Sequence, residues 1–381
     1  MEIFFNLLVS VSLFWYLLSC VFTVFYSFKR KFPDLKNAKL PRVTILKPVK
    51  NTDHEMEINF ESFYRLNYPD YEIVFGLDEC EEECYGLIDS ISRKYPSIPT
   101  RIIVKKTSGG LNPKIEVLSM IEPGCKSELL WVTDSNVRVQ KDTLLNLVRE
   151  YLRTNAKLVF SPFIGTGSKT FASVMENSYI NLYVSGSIIT CWKLARQHII
   201  VGKSMLIEKA ALDKFGGFGY FGKYLAEDYM MGEIYVENKV PISTNYIWVT
   251  NYNCYSTVKS FIARAVRWAK LRFHIKPAHY FCEIITFPVG LALLSSIFTG
   301  YSGLKLAAIA ASVKVFFEYF NLFFVNTEDR KKLWIIVLFP VLVLFKDILT
   351  FVIVYFAPYI SNRTKWRGRT ITIGRKSVIA V

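Results

Sequence analysis

Leu129-Leu130-Trp131-Val132-Thr133-Asp134 is the stretch that decides the fold. Five large apolar or β-branched residues in a row read as a strand, and the run stops on an acid. The same pattern recurs on its N-terminal side. Val43-Thr44-Ile45-Leu46 runs into Lys47-Pro48, Glu72 to Leu77 runs into Asp78, and Arg101-Ile102-Ile103-Val104 is a third such run. Helical stretches such as 55–66 and 81–94 lie between them. Strands alternating with helices predict an α/β domain with a largely parallel sheet. Ligands of such sheets gather at the carboxyl ends of the strands. Asp78 and Asp134 both occupy such ends. Either acid alone reads more readily as a helix cap or turn residue; two at separate strand ends balance that reading against a functional one.

The α/β segment is bracketed by apolar sequence. Ile3 to Phe28 holds no charged residue over 26 positions and is followed by Lys29-Arg30-Lys31. About 20 apolar residues cross a bilayer. A signal peptide has a shorter core and a basic start. The basic stop predicts an uncleaved anchor with the chain after it in the cytoplasm. After His279 the sequence turns apolar again. Ile284 to Leu304 is uncharged over 21 positions, Leu306 to Val325 holds Lys314 and Glu318, and Leu333 to Ser361 holds Lys346-Asp347. Charges inside a span face protein or water, so two to three C-terminal membrane helices packed together are expected. Thr327 to Lys332 and the tail from Arg363 to Lys376 are both basic and both favour the cytoplasm. Three full C-terminal spans would separate them, so one apolar segment is expected to lie along the interface or re-enter. The resulting division is an anchor at 1–30, a catalytic domain at 31–275, membrane segments at 276–362 and a basic tail at 363–381.

Composition agrees. Hydrophobic residues are 51% of the 381 and the formal charge is +15, with a mean hydropathy of +0.25. With spans present, a basic chain meets an anionic membrane surface and a nucleotide diphosphate rather than nucleic acid. The seven cysteines are scattered and odd in number. They form no compact framework, which favours a reducing compartment. Cys80 and Cys84 flank acids but lack the four ligands of structural zinc.

Three constellations carry chemistry. The first is acidic: Asp78, Asp134, and Asp228 within Ala226-Glu227-Asp228-Tyr229. Sugar transfer from a nucleotide donor needs a base for the acceptor hydroxyl and positive charge for the departing diphosphate. Asp134-Ser135-Asn136 has the first acid of an Asp-x-Asp metal site, with a neutral oxygen donor at the second. A Mg²⁺ or Mn²⁺ held there takes oxygen ligands and bridges phosphates. Asp228 alone also reads as a helix-initiating acid. The second is Arg264-Ala265-Val266-Arg267-Trp268 with Lys270 and Arg272. Helical spacing puts Arg264, Arg267 and Trp268 together. Forked guanidinium groups suit a diphosphate, and a basic helix on the membrane is the plainer alternative. The third is the loop from Lys105 to Lys114, whose amides and lysines can meet phosphate. Gly217 to Gly222 matches a dinucleotide fingerprint in spelling, but lacks the strand before it and the helix within it. His198 and His274 have no metal-ligand spacing.

Taken together these residues resemble the ceramide glucosyltransferase family, among the inverting GT-A transferases. The likeness runs over nearly the whole chain. It rests on the anchor, Leu46-Lys47-Pro48, Asn112-Pro113-Lys114, Thr133-Asp134-Ser135, Gly216-Gly217, Ala226-Glu227-Asp228-Tyr229 and Arg264-x-x-Arg267-Trp268. The resemblance implies a GT-A nucleotide-sugar-binding domain and single-displacement transfer of glucose from UDP-glucose to the primary hydroxyl of ceramide. Asp228 is then the base, Asp134 the metal-side acid and Asp78 the nucleotide-side acid. Lys47, Lys114, Arg264, Arg267 and Trp268 are the other substrate-binding residues. The implied partners are a UDP-sugar donor and a membrane lipid acceptor. The implied location is a multi-pass membrane protein with its catalytic domain in the cytoplasm, in the Golgi or ER of a eukaryote or the inner membrane of a bacterium. Hopanoid-type lipid glycosyltransferases look similar in the same motifs, and processive polysaccharide synthases share the acids and the R-x-x-R-W motif. A membrane transporter would explain the charges within the C-terminal segments, but has no need of a soluble α/β domain.

Overall fold

The computed structural model describes residues 1–28, 39–52, 54–79, 82–106, 112–366 and 369–380. The basic stop Lys29-Arg30-Lys31, Cys80 and the stretch 107–111 of the lysine-rich loop lie outside the described residues. The chain forms two compact units. One is Lys29–Phe163 with Gln197–Tyr252; the other is Met1–Phe28 with Ile164–Arg196 and Asn253–Val381. The chain opens with α1 (Glu2–Ser27), in the second of these.

The first unit is α/β. Its sheet contains β1 (Val43–Pro48), β2 (Tyr71–Leu77), β3 (Thr100–Val104), β4 (Leu129–Thr133), β6 (Leu158–Phe160), β8 (Ser204–Glu208) and β9 (Ile242–Thr244). Their order is β3-β2-β1-β4-β8-β6-β9. β1, β2 and β4 are buried along their whole length. That is why their centres, Ile45-Leu46, Ile73 to Leu77 and Leu129 to Val132, read as apolar runs rather than alternating ones. Pairing is parallel from β3 through β4 and between β6 and β9. β8 runs antiparallel between β4 and β6. The mostly parallel sheet expected of a GT-A domain is present. β5 (Val137–Arg138) pairs with β10 (Val249–Tyr252), and β7 (Phe163–Thr166) leads out of the unit. The helices are α2 (Met56–Tyr64), α3 (Glu82–Lys94), α4 (Pro113–Ile121), α5 (Thr143–Thr154), α8 (Lys209–Asp213) and α9 (Glu227–Glu237). α4 lies close on β2 because Gly76 has no side chain: a Cβ there would stand 2.5 Å from Val117.

The second unit is helical. It holds α6 (Phe171–Ser178), the π-helical turn Tyr179–Val184, α7 (Ser185–Ala195), α10 (Val258–Ile275), α11 (Pro277–Cys282), α12 (Pro288–Thr299), α13 (Tyr301–Phe324), α14 (Leu333–Leu349) and α15 (Ala357–Ile360). Arg363–Trp366, Arg369–Ile373 and Ile379–Ala380 close it as an antiparallel sheet, β11 to β13. Among the described residues, three helical stretches are long and apolar enough to cross a membrane: Glu2–Ser27, Tyr301–Phe324 and Leu333–Ile360. The uncharged stretch 284–304 is not one straight helix. It breaks between Thr286 and Pro288, where the axis bends by 80°, and again at Gly300, whose φ of +60° suits glycine. The intramembrane charges face protein, as expected. Lys346 Nζ lies 2.6 Å from Glu318 Oε1 and donates to Ser178 Oγ at 2.9 Å. Lys314 Nζ lies 3.1 Å from Asp347 Oδ2. Tyr16 donates to Glu318 at 2.7 Å. All four charged side chains are buried.

Candidate functional site

The parallel register puts the carboxyl ends of β1, β2 and β4 along one edge of the sheet. Asp78 and Asp134 follow β2 and β4 directly. β8 runs the other way, so its first residue pairs with the last of β4, Ser204 against Thr133. Gly202 and Lys203, just before β8, therefore arrive at the same edge. The first turn of α9 supplies Glu227 and Asp228.

A charged cluster forms there. Lys114 Nζ lies 2.9 Å from Asp134 Oδ1 and 3.4 Å from Glu227 Oε1, and donates to Gly202 O at 3.0 Å. Lys203 Nζ lies 2.9 Å from Asp134 Oδ2 and donates to Asn136 Oδ1 at 3.0 Å. Asp228 Oδ2 accepts from Gly202 N at 2.5 Å and its Oδ1 from Tyr229 N at 2.7 Å. Asn112 ties two parts together. Its Oδ1 caps α4 by accepting from Lys114 N at 3.0 Å, and its Nδ2 donates to Glu227 Oε2 at 2.8 Å. Pro113 in the first turn needs no amide partner, so Asn112-Pro113-Lys114 is a helix start that aims a lysine at the strand ends. Asp228, in the first turn of α9, fills the helix-initiating position that its local sequence also allowed.

The charges set one another. Burial alone would raise the Asp134 carboxyl, but the ammonium groups of Lys114 and Lys203 outweigh it and hold the carboxyl well below its usual range. Burial would lower Lys114; Asp134, Glu227 and Asp228 raise it above its ordinary value. Glu227 goes the other way. Burial, with Asp228 beside it, pushes its carboxyl up to about 7 against the pull of Lys114.

Lys47 is placed differently from the expectation. It is fully buried, donates to Thr133 Oγ1 at 2.9 Å and Asp134 O at 3.1 Å, and lies 3.7 Å from the Phe63 ring centroid. Burial pulls its ammonium well below the ordinary value, with Asp134 opposing. In this structure it positions the end of β4 and offers no surface to a ligand. Asp78 is half-exposed and accepts from Glu79 N at 2.9 Å. Arg264, Arg267 and Trp268 stand on α10 in the helical unit. Arg264 is ion-paired with the buried Glu176, and Trp268 packs against a core containing Phe261 and Tyr280. His198 and His274 are packed residues, bonded to Thr244 Oγ1 at 3.0 Å and Lys270 O at 2.8 Å. Gly217, with φ of +77°, lets the backbone close on Glu122, which accepts from Phe218 N at 2.9 Å. That motif is a turn and not a nucleotide loop.

Asp134 and Asn136 offer the hard oxygen donors that Mg²⁺ or Mn²⁺ prefers. Both Asp134 oxygens already meet ammonium groups, and among the described residues no three His, Cys, Asp or Glu side chains converge on a point. The donor set fits a dication that brings phosphate oxygens and water as most of its shell. It is not a protein-built cage. Lys203 was not anticipated from the sequence, and Glu227 was noticed only as a motif residue. The signal for Glu227 was present in its pairing with Asp228; Lys203 had none.

A family model described as glycosyl transferase family 21 matches residues 6–379. The chain is similar to ceramide glucosyltransferase 3 of Caenorhabditis elegans, at 27% identity over 69% of this chain and 58% of that protein. Ceramide glucosyltransferase 1 of the same organism is also 27% identical, over 68% and 55%. The ceramide glucosyltransferase of Komagataella phaffii is 25% identical, over 71% and 65%. The chain thus spans less than two thirds of the length of these curated relatives. Among solved structures, a mannosyltransferase from Pyrobaculum calidifontis in complex with GDP-Man and Mn²⁺ is 13% identical. That match covers 90% of this chain and 98% of that one, with a TM-score of 0.46.

Proposed function

The chain belongs to glycosyl transferase family 21, and from that premise we propose that it moves a sugar from a UDP-sugar to the primary hydroxyl of a membrane lipid. We take the donor to be UDP-glucose and the acceptor ceramide, as the names of the curated relatives suggest. The observation that carries the reading is the cluster of Lys114, Lys203, Asp134, Glu227 and Asp228 at the carboxyl edge of the sheet. In this reading the acceptor oxygen attacks the anomeric carbon as the bond to the diphosphate oxygen breaks, and configuration inverts. Asp228, held in place by the amides of Gly202 and Tyr229, receives the hydroxyl proton. Lys114 and Lys203 take up the charge of the departing diphosphate.

Charge balance supports a metal requirement. The two lysines are already matched by Asp134 and Asp228 before Glu227 is counted, so an arriving diphosphate needs further positive charge. A Mg²⁺ or Mn²⁺ would be held by Asp134 and would supply Lewis-acid stabilisation of the leaving group. Asp78 remains a proposed nucleotide-side residue on the strength of its strand-end position. Arg267 and Trp268 are proposed substrate contacts from their motif alone. The ion pair to Glu176 gives Arg264 a structural task. The catalytic unit is proposed to face the cytoplasm.

A screen of labelled UDP-sugars against lipid extracts, with products identified by mass spectrometry, tests the reading. Glucosylceramide formed from UDP-glucose is the expected product. Polymer formed without added lipid would overturn the acceptor class.

A further inference from the structure

By length and hydropathy, Leu333–Ile360 is the strongest candidate span in the chain. Its neighbours place it differently. The α1 helix provides the scale, because 26 residues at about 1.5 Å each are long enough to cross a bilayer. Phe5, near its start, stacks on Phe298 at the end of α12, with centroids 5.6 Å apart. Ser12 donates to Ile285 O at 2.5 Å. Further along, Tyr16 donates to Glu318 and Val24 clusters with Val325. The α12 helix therefore runs antiparallel to α1, and α13 runs parallel to it. When α1 crosses, α12 ends on the far side beside the start of α1, and α13 returns to the near side. The basic turn 327–332 then lies on the near side, where Ser168 N and Oγ donate to Asp329.

The α14 helix leaves that bundle. It meets α13 through Lys314, Glu318, Tyr319 and Leu322, a stretch of little more than two turns. It then follows α10. At its start Trp334 lies 5.7 Å from Phe171 of α6, and Thr170, just before α6, donates to Ser256 O, just before α10. Past its end, in the π-helical turn Thr350–Tyr355 that continues the segment, Phe351 and Val354 share a core with Phe261, Ala265 and Ala269 of α10. At the far end Tyr359 lies edge-on to Phe273, 5.0 Å away, and Lys270 donates to Arg363 O at 2.6 Å. Lys259, Arg264, Arg267, Lys270 and Arg272 put five cations on the 18 residues of α10, and such a helix cannot cross hydrocarbon. A segment that follows α10 from one end to the other has both its own ends at the face where α10 lies.

We propose that Leu333–Ile360 lies within one leaflet and does not cross it. Its inner side is fixed by the buried Lys346 and Asp347. Its outer side, with Val337, Val341, Phe345, Val352 and Phe356 exposed, sits among the acyl chains of that leaflet. The helical backbone satisfies its own polar groups at that depth. The basic turn 327–332 and the basic tail after α15 then share the face of α10, where anionic headgroups attract both.

Single-cysteine forms with Tyr301→Cys, Glu328→Cys or Lys365→Cys, probed with a membrane-impermeant maleimide in sealed vesicles of one orientation, test this. Glu328→Cys and Lys365→Cys should label from one side and Tyr301→Cys from the other. Any other pattern overturns the proposal. Glycosylation tags placed before Met1 and after Val381 of the otherwise unaltered chain give a second reading that needs no substitution. Exactly one tag modified is expected, since α14 adds no crossing; both or neither modified overturns it.

Discussion

Two clusters in this molecule are built from nearly the same parts and differ in kind. In the helical unit, Lys314 and Lys346 meet Glu318 and Asp347, two cations to two anions, with side-chain exposures between 2% and 6%. At the edge of the α/β sheet, Lys114 and Lys203 meet Asp134, Glu227 and Asp228, and the Asp134 side chain is 27% exposed. The first cluster is neutral and closed. The second has one acid more than it has cations, and is open to solvent on one side. A closed, balanced cluster fixes helices against one another. An open, unbalanced one can accept a cation, a proton or a phosphate. Charge count and access separate the structural site from the chemical one, and burial of lysine does not, since Lys114 is nearly as buried as Lys346.

The sharpest way to break that contrast is Asp228→Asn. Removing a general base costs about two to four orders of magnitude in turnover, and the neutral amide keeps the size of the side chain. We expect kcat to fall by that much, while stability falls only by the one backbone hydrogen bond that the amide nitrogen cannot accept, about 1 kcal/mol. Retained turnover would remove Asp228 from the reaction. In the closed cluster the same kind of change should act on stability instead. Glu318→Gln leaves the buried Lys346 and Lys314 to share Asp347 as their remaining anion, one uncompensated buried charge and a loss of about 3–5 kcal/mol, read as a lower midpoint of thermal unfolding in detergent. The double change Glu318→Leu with Lys346→Met removes both charges and should recover most of that loss. A single variant as stable as the parent would show that the pair carries no structural weight. Lys203→Met should be milder. It removes one of two cations from Asp134, so we expect KM for the nucleotide donor to rise about tenfold, roughly 1.4 kcal/mol, with a smaller effect on kcat.

Much of the fold was legible because strands buried on both faces leave apolar runs at their centres, and β1, β2 and β4 do so. The positions of Asp134 and Asp228 in the fold were legible for a related reason: each sits at an element boundary marked by a change in residue type. Lys203 was not. It reaches the site through the antiparallel pairing of β8 with β4, a contact between residues about 70 apart with no local pattern. The direction of the Lys47 side chain was not legible, because a strand buried on both faces does not say which way a given side chain points; here it points into aromatic rings and at the Thr133 hydroxyl. Hydropathy also marks 284–304 as one uncharged stretch. It counts charges and is insensitive to Pro288 and Gly300, which decide where that helix can run. Residues 164–196 carry Ser, Asn and Thr among their apolar residues, so composition alone does not separate them from the α/β sequence around them. Their place in the helical unit depends on partners far along the chain, such as Glu318 for Ser178.

The surplus acid of the open cluster has a consequence for pH. Folded Glu227 titrates near 7, while its ordinary value is 4.5. Between those two values the folded chain holds a proton that the unfolded chain has lost. Stability from this group is therefore full below about 4.5 and falls as pH rises toward 7. Two and a half units correspond to about 3 kcal/mol as an upper bound, since Lys114 and solvent relaxation share the cost. Glu227→Gln imitates the protonated side chain and can still accept from Asn112 Nδ2, so it should flatten that dependence. The measurement is the unfolding midpoint of parent and variant in detergent at pH 5 and pH 8. The two should nearly coincide at the lower value, and the variant should be the more stable at the higher one. A constant gap between them at both values would mean that Glu227 is ionised throughout. The cluster would then carry its full negative excess at neutral pH, and the need for a dication alongside the diphosphate would grow stronger.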